Sequence, residues 1–488
     1  MKIIIFSLLT FASFSLPAQD YNLNDFKFRF QNYRYAYFNF NLSGNNDYRY
    51  NSSKYKGSFP NSNEIKNTND KNTFSSSIDL PFRYAHIKNT DRLQHVENFA
   101  SQISYFNSGS KHAIQKQNSA SFDYSNNNRI YNGLHFTEIN ISLGACQNYY
   151  KYFNNEYYFS YRNSTQNNSM GNYNLSLGKG KGRLEYVTDA VTAMFLLNDL
   201  KEKAGIGTYS NEQIEQIARG ITTIRNTRFI DYRYRLIDQL TLLDSTLKLN
   251  GITPNNMIRY FTTLNDNWLY ATNFQRFSGS RWSVNYINNG QATFYNYRYR
   301  YADTTGFSKQ SYQNNSMYNG IEFNYDWSKQ ASLYIQRNFS ARIGGGLNLY
   351  TDQFRRTYEN DIFYTTTNNA KPDVTRYYAN FSYGYLFQPN TRTFITFNTD
   401  LNATLTNRTN GLRVANTSEL KLRELSVFLN PNLSIFKFFT PRFYYSASLT
   451  ANCQLNHRYR KDIINEYDKS SNYALPVALN TGFTYTFY

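Results

Sequence analysis

The sequence predicts an all-β transmembrane barrel, antiparallel, of about fourteen strands, with an α-helical insertion between strands 6 and 7. Three observations carry this expectation. The C-terminal half alternates apolar and small polar residues with period two, segment after segment. Aromatic residues make up 18% of the chain, yet its mean hydropathy is −0.67. No run reaches the roughly 20 consecutive apolar residues that a membrane helix needs. A barrel reconciles these facts, because alternate residues face lipid while the others face a wet lumen, and every backbone polar group pairs with a neighbouring strand.

The last segment shows the pattern most plainly. Leu479, Phe483, Tyr485 and Phe487 fall on one face of a strand, and Asn480, Gly482, Thr484 and Thr486 on the other. Upstream, Ile321, Phe323, Tyr325 and Trp327 oppose Glu322, Asn324 and Asp326. Tyr377, Phe381, Tyr383 and Tyr385 oppose Asn380, Ser382 and Gly384, and segments 394–406, 424–435 and 443–456 repeat the scheme. Eight strands are counted from Arg281 to the end. Short turns are expected at 328–330, 388–390 and 439–441, and longer polar loops at 303–312, 351–374 and 459–472, the short-turn and long-loop asymmetry of a barrel.

The N-terminal half yields six strands, near 28–43, 72–88, 92–107, 116–127, 132–149 and 156–180. Asn-rich stretches at 126–128 and 163–172 are expected to interrupt the fourth and sixth. The segment 44–71 reads as a long outer loop and Asn89-Thr90-Asp91 as a short inner turn. Residues 1–18 read as a signal peptide, with Lys2, an apolar core and a small residue, Ala18, before the cut. Barrel strands then fill 19–181 and 269–488.

Between them, residues 182–268 change to helical period. Val187, Val191, Met194, Phe195 and Leu197 mark one amphipathic helix, stopped by Gly205. Ser210 and Gln213 form a capping box for a second, lined by Ile214, Ile217, Ala218, Ile221 and Ile224. A long third helix is expected from Phe229 through Leu236, Ile237, Leu240, Leu243 and Leu247 to Gly251. Thr253 and Pro254 then read as the start of a fourth.

The formal charge of +18 lies outside the insertion, because 184–268 holds nine Lys and Arg against ten Asp and Glu. Basic loops suit the phosphates of outer-membrane lipid and lipopolysaccharide, and a basic lumen suits anionic solutes. No nucleic-acid partner is expected, since no recognition motif is present.

Alternation places Glu322, Asp326, Arg342 and Asp400 in the lumen. It puts Arg298 and Arg300 there too, opposite Tyr297 and Tyr299. The same parity leaves Arg337 facing lipid, either near an interface or beside a bulge. Arg225, Arg228, Asp231, Arg233 and Arg235 cluster at the head of the third helix, as a docking patch for a periplasmic protein or as salt bridges that order the module. Gly178-Lys179-Gly180-Lys181-Gly182-Arg183 lacks phosphate-loop spacing and reads as a flexible strand-to-helix exit. Glu185 and Asp189 read as acids in the first helical turn.

The five histidines are scattered without ligand spacing, and Cys146 and Cys453 sit on opposite faces. No catalytic, metal or cofactor residues are therefore assigned, and no enzyme activity is expected. The exported, Asn- and Tyr-rich barrel ending on aromatics resembles outer-membrane proteins of the Bacteroidota. Residues 180–190 (Gly-Lys-Gly-Arg-Leu-Glu-Tyr-Val-Thr-Asp-Ala) and 226–233 look like a module peculiar to one such family. The resemblance implies residence in a Gram-negative outer membrane. The expected role is transport or export, with the insertion as gate, plug or periplasmic dock. The alternatives are a non-conducting scaffold and a lipid-acting barrel enzyme.

Overall fold

The computed structural model describes residues 21–55, 65–110, 113–154, 162–227, 236–270, 275–300, 307–359, 362–368, 373–410, 420–440, 443–461 and 467–485. Most of them belong to one antiparallel sheet. β1 (Gln31–Phe38) and β2 (Asn41–Tyr55) lie end to end along β3 (Ile65–Asn89). β4 (Leu93–Ser110), β5 (Ala113–Asn132), β6 (His135–Asn154) and β7 (Arg162–Tyr186) follow, each paired with the one before. After the helices come β8 (Phe277–Arg300), β9 (Phe307–Gln330) and β10 (Ile335–Glu359).

β11 (Ile362–Asn368) and β12 (Asp373–Asn390) share β10 as partner. β13 (Thr393–Asn410) and β14 (Leu420–Phe438) continue the sheet. β15 (Phe443–Ala451) and β16 (Cys453–Lys461) lie end to end along β14. β17 (Tyr467–Ala474) and β18 (Val477–Tyr485) line up beside them. The eighteen segments, four pairs of them collinear, thus make fourteen rows, six before the helices and eight after. Among the described residues no pairing joins the last row to the first, and β17 and β18 are exposed on both faces.

Several strands outrun the sequence reading. β3, β7 and β10 have 25 residues each, about 80 Å at 3.3 Å per residue. The expected loops 44–71, 303–312, 351–374 and 459–472 are partly strand, their remaining residues lying outside the described set. The Asn-rich stretches 126–128 and 163–172 run unbroken through β5 and β7. The ladder is made by backbone groups, so a strand polar on both faces still pairs although it shows no alternation. The short turns also shift by a residue or more: Ser328–Gln330 belong to β9, and the turn is 331–334; Asn390 ends β12, and the turn is 391–392.

The sheet is curled. Tyr33 in β1 hydrogen-bonds Asp189 of α1 (Thr188–Ala204), and Phe438 at the end of β14 packs on Tyr270 of α4 (Met257–Tyr270), ring centres 5.7 Å apart. α1 and α4 pack together and span about 25 Å along and 10 Å across. Rows 1 and 12 of a flat sheet would stand about 50 Å apart, so the sheet must bend around the helices. Its concave face is the polar one. Trp282, Val284, Tyr286, Ile321, Phe323, Leu429 and Leu433 stand exposed on the convex face. With spin labels at Phe30 and Phe439 and both native cysteines replaced by serine, the expected separation is below about 35 Å. A distance near 50 Å would contradict the curl.

Candidate functional site: a helical cap on one mouth

Tyr186 and Phe277 are cross-strand partners, so the insertion leaves and re-enters the sheet at one point. The Val187 N–H donates to the Arg276 carbonyl at 3.0 Å and the Arg276 N–H to Thr188 Oγ1 at 2.9 Å, which clasps the two chains together. Four helices grow from this clasp. α1 buries Val191, Met194, Phe195 and Leu197 and ends at Gly205, whose φ of 69° is the left-handed C-cap conformation. α2 (Asn211–Asn226) opens with the Ser210–Gln213 capping box. α3 (Leu236–Leu249) buries Leu243 and Leu247 but leaves Ile237 exposed, against the apolar face read from sequence. α4 starts at Met257 with Asn256 as its cap, accepting from the Arg259 N–H at 3.0 Å. Thr253 and Pro254 stand outside it, because an Asn side chain placed three residues before a free N–H is the better cap.

The helices share one apolar core, and the segment before β1 enters it: Tyr21, Leu23 and Phe26 are buried there. Asn24 fastens this segment to the wall, with its amide on the Gln330 carbonyl at 3.1 Å and its oxygen receiving Ser278 Oγ at 2.7 Å. Arg29 bridges Glu185 at 2.6 Å and Asp91 at 3.0 Å. Glu185 is a strand residue of β7 bound to arginines, so it and Asp189 do not share a helical turn.

At the centre lies a buried polar node. The Asp189 carboxylate accepts from Arg225, Thr222 and Tyr33, the last at 2.6 Å. The Arg225 guanidinium also donates to Thr192 at 3.2 Å and lies over Trp268. α1, α2, α4 and the first row thus meet on one ion pair. This corrects the docking patch: Arg225 is buried inside the cap, whereas Arg228, Asp231, Arg233 and Arg235 lie outside the described residues.

A second node holds the cap to the far wall. Arg276 is fully buried and donates to Gln330 Oε1 at 3.1 Å and Gln388 Oε1 at 2.6 Å. Among the described residues no carboxylate pairs with it, and burial pushes its guanidinium down to about 9. Arg392 in the 391–392 turn bridges Asp266 of α4 at 2.6 Å. Among the described residues, only α2 against β1 makes extended helix-to-strand contact. The cap therefore has a core of its own, which Leu333 of the 331–334 turn also enters, and otherwise meets the wall through a few polar ties and two aromatic pairs, Phe195–Tyr334 and Tyr270–Phe438.

The run 178–183 is packed rather than flexible. Its glycines face the concave side and its lysines the convex side, so they form no shared cradle. Glu138 of β6 reaches Ser283 of β8 at 3.1 Å across Gly178, where an added Cβ would sit 1.6 Å from Asn285 Oδ1. Glu322, Asp326, Arg342 and Asp400 occupy the concave face. Arg281 pairs with Asp326 at 2.8 Å, and Tyr378 donates to Glu322 at 2.7 Å.

Arg298 does not share that face. The β8 register is unbroken, so Arg298 shares the convex face with Trp282 and Val284 and stands opposite Lys309; the Arg300 side chain lies outside the described set. Arg337 is convex too, two residues into β10 and hence at the rim. The register shift of that strand falls farther along, between Asn348 and Tyr350.

Sequence reading missed one grouping. His86, His95 and Glu97, on β3 and β4, converge on the convex face near the capped rim, and their ligand atoms lie within 4.8 Å of one another. The turn expected at 89–91 would set His86 opposite Gln94; the ladder pairs Asn89 with Gln94 instead and so brings His86 opposite Glu97. No protein-family model matches the chain, and no curated protein does.

Two outcomes follow from the nodes. Arg225→Ala leaves Asp189 buried and uncompensated, a loss of about 3–5 kcal/mol. Faster hydrogen exchange is expected in α1 and α2, with β12 to β14 unchanged; equal exchange in α1 and α2 would contradict the node. For Arg276, burial holds the guanidinium of the folded chain at about 9, well below its ordinary value in the unfolded chain. Stability should therefore rise from pH 8 to 10 relative to Arg276→Gln, as read from paired denaturation midpoints. Parallel midpoints would remove that role.

Proposed function

We propose that the chain is an outer-membrane β-barrel that passes a solute or exports a polymer, gated at its periplasmic mouth by the helical cap. The observation that carries this reading is a curled sheet, apolar outside and polar inside, with a cap attached at one clasp and held to the wall mainly by polar ties. A polar concave wall lined by Glu322, Arg342 and Asp400 suits hydrated cargo. The capped end also carries the short turns and both ends of the sheet, which in barrels of this class face the periplasm. On the convex face, Arg298 beside Lys309 suits phosphates of outer-membrane lipid and lipopolysaccharide.

A second reading makes the cap a dock in a non-conducting assembly. Its support is the exposure of Ile237, Leu249 and Ile258, at 79%, 87% and 80%. An apolar surface of this kind is costly unless a partner covers it. Because Tyr186 and Phe277 are already paired, the helices can be excised and replaced by a two-residue turn. Bilayer conductance at least about tenfold above the intact chain is expected after excision, a barrier change of about 1.4 kcal/mol or more. Absence of conductance from both proteins would reject the pore and favour the dock.

A further inference from the structure

We propose that His86, His95 and Glu97 form a binding site for a divalent transition ion of the zinc class. Glu97 Oε2 lies 3.9 Å from His86 Nδ1 and 3.8 Å from His95 Nε2. Ligand atoms around a tetrahedral zinc stand about 3.3–3.5 Å apart, so each carboxylate-to-imidazole distance needs about half an ångström of closure, all three ligand atoms already lie within 4.8 Å of one another, and a fourth position stays open. The two rings meet edge to face with centres 5.0 Å apart, which lets both imidazoles turn a nitrogen toward the same point.

The surrounding hydrogen bonds assign the protons. Asn128 Nδ2 donates to Asn126 Oδ1, and Asn126 Nδ2 donates to the Tyr124 hydroxyl at 3.0 Å. The Tyr124 hydroxyl in turn donates to Glu97 Oε1 at 3.1 Å. This chain fixes the Asn128 amide so that Oδ1 faces His95 Nδ1 at 2.7 Å, and an amide oxygen can only accept. His95 therefore carries its proton on Nδ1 and turns the Nε2 lone pair to Glu97. Asn32 Oδ1 holds His86 Nε2 at 2.8 Å in the same way and frees Nδ1. Outer-shell partners that set the tautomer of each ligand are a general feature of protein metal sites.

The location suits an ion from water. On the same face the next residues inward are Tyr84, Phe99 and Tyr124, an aromatic row of the kind that borders the lipid band of a barrel. The cluster lies beyond that row, toward the capped rim. Arg34 and Lys88 flank it. The site lies on one hairpin and its first neighbours, so it stands whether or not the sheet conducts.

The test is titration of the detergent-purified full chain with zinc chloride, and with cobalt chloride for its visible spectrum. One equivalent is expected to bind, with a tetrahedral cobalt band. His95→Ala and Glu97→Gln should weaken zinc by about a hundredfold or more, and Asn128→Leu by about 10–100-fold, while His135→Ala leaves it unchanged. In the unmodified chain, zinc should protect His86 and His95, but not His457, from a histidine-acylating reagent, a readout that needs no variant to fold. No stoichiometric binding, or equal acylation of all three with and without zinc, would overturn the site.

Discussion

Register is the constraint on which this structure depends. Each row holds its neighbour through an antiparallel ladder, and side chains alternate strictly along every strand, so once the face of one residue is fixed the faces of all others follow. A slip of one residue would carry Leu429 and Leu433 into the concave interior and Asn430 and Asn432 out of it. The described ladders contain few irregularities. The one in β10 falls between Asn348 and Tyr350, beyond Phe339, Ala341 and Ile343. The division into an apolar convex face and a polar concave face follows from this unbroken pairing.

The cap answers a different requirement. Helices of 14 to 17 residues are marginal alone, and here they stabilise one another around a core that also takes up Tyr21, Leu23 and Phe26. What remains for the wall is mostly polar: Tyr33 to Asp189, Arg276 to two glutamines, Arg392 to Asp266. Such ties lose less on hydration than an apolar seam does. The clasp between Val187 and Arg276 is the point at which the helical module leaves and re-enters the sheet.

The sequence made the apolar face of most C-terminal rows legible, along with the capping box and the glycine stops. These signals are local and follow from period and cap chemistry. It hid three kinds of feature. Strand segments such as 44–55 and 65–71 carry no apolar–polar alternation in the sequence to detect. Arg298 was misplaced because Tyr297 and Tyr299 look like a lipid face, whereas the unbroken ladder from Trp282 assigns the opposite parity. The Asp189–Arg225 node and the Arg276 amide cluster join residues far apart in sequence, and only the packed helices bring them together. The His86–Glu97 pairing escaped because the turn expected at 89–91 sets His86 opposite Gln94, three residues short of its partner.

The central claim is that the convex face meets lipid and the concave face meets water. It is tested most directly by single spin labels along β14, from Leu425 to Ile435, in reconstituted liposomes, read by their collisions with oxygen and with a water-soluble nickel complex. Period-two alternation is expected, with oxygen favoured at Leu425, Val427, Leu429 and Leu433 and nickel at Ser426, Asn430, Asn432 and Ser434. Equal access of the nickel complex to both sets would contradict a membrane-facing wall.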